Sequence, residues 1–112
     1  MKILFLGDII GNPGRTATVR DLPWIIKNNE IDMVIANGEN AAGGIGISPS
    51  IADMLLNSGI DVLTSGNHIY KKKEVYDYLD NEPRLLKPAN FPPATPGNGY
   101  YIFSSERTNS VK

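Results

Sequence analysis

Three short apolar runs recur at nearly equal spacing along the chain: Ile3-Leu4-Phe5-Leu6, Met33-Val34-Ile35-Ala36 and Val62-Leu63-Thr64. No other feature restricts the fold as much. Runs of this length without polar alternation suit β-strands covered on both faces. A spacing of about 30 residues per strand and its connection is that of successive βαβ units. Right-handed crossovers then make the strands parallel, with their carboxyl ends on one edge of the sheet. Open α/β sheets bind ligands at that edge. The predicted class is α/β, a largely parallel sheet with flanking helices.

The connections carry helical signals. Ser48-Pro49 is an N-cap and first-turn pair, Ile51, Met54 and Leu55 follow at helical spacing, and Gly59 can end that helix. Val75, Tyr78 and Leu79 mark a helix over Lys72 to Asp80. Val19, Leu22 and Ile26 form a stripe between Arg15 and Asn29, where Pro23 should kink or break the helix. Five of the eight prolines fall between Pro83 and Pro96, so regular structure should thin out there. Leu85-Leu86 and Tyr100 to Phe103 are candidate short strands. The chain reads as one domain, 1–112, cut short, with 83–112 as a Pro-rich segment and irregular end.

Composition removes several function classes. The 112 residues suffice for one core. A formal net charge of −1, from 11 basic and 12 acidic residues, argues against a broad nucleic-acid surface. No cysteine is present, which excludes disulfides and thiolate-bound metals. No apolar run approaches the roughly 20 residues that span a bilayer, and the expected location is cytoplasmic. With one histidine, His68, the chain alone cannot complete a histidine-rich metal centre.

Eight of the eleven glycines lie in the loops directly after the three strands, so these loops can turn sharply and admit a ligand closely. The loops read Gly7-Asp8-Ile9-Ile10-Gly11-Asn12-Pro13-Gly14, Asn37-Gly38-Glu39-Asn40-Ala41-Ala42-Gly43-Gly44 and Ser65-Gly66-Asn67-His68. Asp8, Glu39, Asn40 and Asn67 offer hard oxygen donors, and His68 offers an imidazole, the side chain most often used to transfer protons. Parallel neighbouring strands would bring all five together. Taken singly, Asp8 or Asn40 could be a helix N-cap, Asn67 a turn residue and His68 an ordinary surface histidine; their coincidence in three loops favours a site. Other motifs fail on residues. Gly14-Arg15-Thr16 resembles the end of a phosphate-binding P-loop, but Ile9 stands where its first glycine belongs and arginine replaces its lysine. The glycine spacings do not fit a dinucleotide fingerprint. Lys71-Lys72-Lys73 reads as a solvated helix start, or as help in holding a phosphate near His68.

The three loops, with Lys87-Pro88-Ala89-Asn90-Phe91-Pro92, resemble the YmdB-type branch of the calcineurin-like metallophosphoesterases over nearly the whole chain. The resemblance implies the N-terminal half of that family's α/β sandwich. It also implies two divalent metal ions, iron or manganese, on the sheet edge. Asp8, Glu39, Asn40 and Asn67 match metal-ligand positions, with Glu39 where the wider superfamily has a bridging aspartate, and His68 matches the catalytic histidine. The implied activity is hydrolysis of a phosphoester, a 2′,3′-cyclic nucleotide, by metal-activated hydroxide with His68 as general acid. The remaining family ligands are histidines further downstream, and this sequence has none after His68. The alternative is therefore a non-catalytic fragment that binds phosphate or a partner. A half-sheet also leaves an unpaired edge and an open apolar face, so a homo-oligomer is expected.

Overall fold

The computed structural model describes residues 1–104. Three parallel strands, β1 (Ile3–Leu6), β2 (Met33–Asn37) and β3 (Val62–Thr64), form a sheet in the order β1-β2-β3. Leu4 pairs with Val34 and Leu6 with Ala36, and Ala36 in turn pairs with Leu63. Side chains alternate across a sheet, so these residues share one face. Val34, Ala36 and Leu63 are fully buried there, with Leu4 and Leu6 packed against them.

The helices α1 (Gly11–Asn29) and α2 (Pro49–Asn57) connect the strands and pack on each other. Leu22 of α1 and Ala52, Leu55 and Leu56 of α2 enter the same core as Val34 and Leu63. At the start of α2 the Ser48 hydroxyl accepts from Ile51 N–H at 3.4 Å, with Pro49 opening the first turn. Gly59 follows at φ 120°, and a Cβ there would stand 2.8 Å from Ile26 Cδ1. Its glycine both permits the left-handed backbone and lets the turn close against α1.

Several expectations are corrected. Pro23 lies inside α1 without ending it, and the helix begins at Gly11 rather than Arg15. Leu22 is 1% exposed, so its burial beside Pro23 anchors the helix, whereas Val19 is 39% exposed and stands outside the core. The third helix, α3 (Val75–Asn81), starts after the lysine run, which lies in turns. Leu85 and Leu86 form only isolated bridges, to Leu63 and Asn98. No strand forms over Tyr100 to Phe103, where Tyr100 and Ile102 are largely exposed. Coverage on both faces is not met on β1 either: Ile3 and Phe5 are 54% and 60% exposed. No helix among the described residues is long and apolar enough to cross a membrane.

Candidate active site

The parallel register carries the three loops to one edge and then stitches them together. Ile9 N–H donates to Asn37 O at 3.1 Å, Gly11 N–H to Asn40 O at 3.1 Å, and Gly38 N–H to Thr64 O at 3.0 Å. Each bond ties one post-strand loop to its neighbour, so the side chains between them have little freedom to separate.

Four of the five candidate residues meet. The Asn40 amide nitrogen donates to both Asp8 carboxylate oxygens, at 3.1 and 3.0 Å. Its oxygen lies 2.6 Å from His68 Nδ1. Reversing the amide would press its oxygen against the carboxylate, so the bond to Asp8 fixes the oxygen toward the imidazole. Nδ1 must then carry a proton, and Nε2 is the ring nitrogen left for other chemistry. Asn40 thus links a carboxylate to a histidine through one planar group.

Glu39 closes the arrangement from the other side. Its carboxylate accepts the backbone N–H of His68 at 3.0 Å and lies 3.8 Å from Nδ1. Asn37 holds it in turn, donating its side-chain amide to Oε1 and accepting the Glu39 N–H, both at 3.3 Å. Gly66 makes room: a Cβ there would stand 2.3 Å from Glu39 Oε1. Asn67 lies in the same loop but is exposed, and its side chain is outside this hydrogen-bonded group. Sequence reasoning passed over Asn37 and the specific task of Gly66. It also passed over Arg15, whose guanidinium donates to Ala41 O at 2.5 Å and so braces the second loop from α1. The P-loop-like Gly14-Arg15-Thr16 segment drew attention to this arginine for another reason.

Carboxylate and amide oxygens suit hard or borderline divalent ions. Asp8, Glu39 and Asn40 supply such oxygens within one small region. No group of three or more His, Asp or Glu side chains placed to hold a metal occurs among the described residues. The donor chemistry fits a divalent ion, and the donors present make part of a coordination shell.

The chain is similar to proteins named as phosphodiesterases and phosphatases. The chain is 46% identical over 99 residues to a 2′,3′-cyclic-nucleotide 2′-phosphodiesterase of Bacillus subtilis, covering 88% of this chain and 38% of that protein. It is 36% identical over 108 residues to a Mycoplasma genitalium protein described as a candidate phosphatase/phosphodiesterase, covering 93% and 38%. The fold superposes with a TM-score of 0.85 on a hypothetical protein from Thermus thermophilus at 39% identity, covering 96% of this chain and 41% of that one. A phosphatase from Mycoplasma pneumoniae gives the same TM-score at 30% identity, covering 93% and 38%. The chain therefore spans well under half the length of the relatives it matches. The YmdB-like protein family matches residues 4–112, and the chain belongs to that family.

Proposed function

We propose that this chain carries the N-terminal part of a metal-dependent phosphodiesterase site that acts on small phosphoesters of the 2′,3′-cyclic-nucleotide class. The Asp8–Asn40–His68 chain of hydrogen bonds, with Glu39 beside it, carries the reading. The relatives named as phosphodiesterase and phosphatase support it.

In this reading Asp8, Glu39, Asn40 and Asn67 would hold two divalent metal ions, iron or manganese. When bound, such ions neutralise charge on phosphate oxygens and activate water for in-line displacement. The protein's own contribution is orientation and proton supply. Asn40 fixes the His68 ring through Nδ1, leaving Nε2 to meet the phosphoester. A second proton, on Nε2, would make the ring an imidazolium whose Nδ1 lies 3.8 Å from the Glu39 carboxylate. Hydrolysis of a cyclic phosphodiester adds water's oxygen to phosphorus and breaks one ester P–O bond. His68 donates the proton that the departing ribose oxygen requires, which is general-acid catalysis.

One observation favours a second reading, a phosphate- or partner-binding module without catalysis: no three His, Asp or Glu side chains among the described residues are placed to hold a metal. Elemental mass spectrometry of the purified chain after gel filtration separates the two. Near two metals per chain, with Mn²⁺-dependent hydrolysis of 2′,3′-cyclic AMP that His68→Ala abolishes, supports the catalytic reading and means that the centre is completed without the downstream histidines. Metal content near zero, with no hydrolysis when metal is supplied, overturns the catalytic reading for this chain and leaves the binding module.

A further inference from the structure

Lys87 is 7% exposed, and no carboxylate among the described residues forms an ion pair with it. Its ammonium instead meets four oxygens: Pro92 O at 3.2 Å, Pro93 O at 3.5 Å, Thr95 O at 2.9 Å and Thr95 Oγ1 at 3.1 Å. Burying a charge is costly unless hydrogen bonds replace its water. Here the loop supplies those bonds. The converse also holds: three carbonyl dipoles aimed at one point repel each other unless a cation sits there. Pro92 and Pro93 have no N–H with which to organise the loop by backbone bonds. Phe91 N–H to Pro88 O and Thr95 N–H to Pro92 O, both at 3.1 Å, close two turns of the segment, and the lysine ammonium sits as an internal cation among its oxygens.

The chain on either side of Lys87 holds the His68 loop at both ends, Leu86 before it and the 88–96 loop after it. On one side Ser65 donates its hydroxyl to Leu86 O, and Leu86 N–H donates to Leu63 O at 2.9 Å. On the other, the Tyr70 hydroxyl donates to Pro96 O, and the Tyr70 ring packs on Phe91 with centroids 6.0 Å apart. Tyr76 completes the clamp, its ring 5.6 Å from that of Tyr70 and edge-on, its hydroxyl bonded to Tyr70 O. Asn67 and His68 lie between these anchors. Pro96, which receives Tyr70, directly follows the Thr95 that the ammonium holds.

We propose that Lys87 is a positioning residue for the candidate site, acting through the loop 88–96 and Tyr70 to fix Asn67 and His68. The inference rests on the reading that places these two residues in the site, but its test does not require catalysis. Two-dimensional NMR of the isotope-labelled chain, without metal or substrate, reports the backbone amides one by one. Lys87→Ala removes the ammonium and the three methylenes carrying it, which propylammonium can replace.

The expected result is that Lys87→Ala displaces the amide signals of Asn67 and His68 along with those of the 91–96 loop. Propylammonium then returns them saturably toward their wild-type positions, and neutral propanol does not. Tyr70→Phe, which removes only the hydroxyl bond to Pro96, also displaces Asn67 and His68. The proposal is overturned if Lys87→Ala moves only signals within 88–97, or if propanol restores them as well as propylammonium. Should Lys87→Ala fail to fold, Tyr70→Phe decides: unmoved Asn67 and His68 signals overturn the link.

Discussion

Gly66→Ala tests whether the Glu39 carboxylate is placed by the room beside it. The added methyl would stand 2.3 Å from Oε1 and 2.8 Å from both Cδ and Oε2. Ordinary contact begins near 3.4 Å, so with the loop in place, its turn closed by Ile69 N–H donating to Gly66 O at 3.2 Å, the carboxylate must retreat by about 1 Å. Gly66 shows no positive φ, and alanine adds no backbone strain. The retreat stretches two bonds, from His68 N–H at 3.0 Å and from the Asn37 amide at 3.3 Å. A hydrogen bond to a charged group contributes about 1.5–3 kcal/mol. The Asn37 bond is long and replaceable by water, so the loss should sit near the lower end, about 1–2 kcal/mol. The site should suffer more than the fold, since misplacing a ligand or its support typically lowers metal affinity about 10–100-fold. Urea denaturation measures the first quantity and Mn²⁺ titration followed by electron paramagnetic resonance the second. A variant matching the wild type in both would refute the reasoning, because the methyl would then have found space that the structure denies.

Three further outcomes are expected. Asn40→Leu removes the bonds to Asp8 and His68 together, so the ring-nitrogen NMR shifts of His68, which should report an Nδ1–H form in the wild type, lose that preference; unchanged shifts would contradict the assigned amide orientation. Burial, and then the 2.6 Å hydrogen bond to Asp53, raise the Tyr78 phenol well above its ordinary range, so the folded state keeps a proton that the unfolded state sheds above about pH 10. That stability contribution is present below about pH 10 and is lost as pH rises toward the folded value; Tyr78→Phe should flatten the alkaline decline in denaturation experiments, and an equally steep decline would rule Tyr78 out as its source. The exposed Ile3 and Phe5 face should make the purified chain self-associate, as a homo-oligomer or larger species, with Phe5→Lys reducing it; a monomer at every concentration by static light scattering would exclude this surface.

The strands and the edge were legible in the sequence because each apolar run ends in a glycine-bearing loop. Register then follows from burial: a one-residue slip would move Val34 and Ala36 out of the core and Met33 and Ile35 into it. The convergence of Asp8, Glu39, Asn40 and His68 follows in turn from parallel neighbouring strands. Pro23 misled because propensity gave way to tertiary burial, with Leu22 fully packed beside it. Tyr100 to Phe103 has strand-forming residues, but β-propensity reflects packing against neighbours, and largely exposed Tyr100 and Ile102 have little. Both metal ions, their identity and the general-acid role of His68 came from family likeness alone, because a full coordination shell needs donors that these loops do not themselves supply.

What the sequence hid has a common physical form. Asp8 and His68 announce themselves by chemistry, being the kinds of group that ligate or transfer protons. Asn37, Gly66 and Arg15 act on backbone or on another side chain across the sheet edge, and their roles exist only once the loops are side by side. Lys87 is the extreme case. A lysine in a Pro-rich stretch ordinarily reads as a solvated charge, since lysine is almost never fully buried without a partner. Its partners are carbonyls of a loop that forms around it. The catalytic reading therefore rests on two kinds of residue, one recognisable by type and one only by position. Substitutions at the second kind should damage the site without removing a reactive group, and that distinguishes an assembled site from loop polarity that happens to coincide.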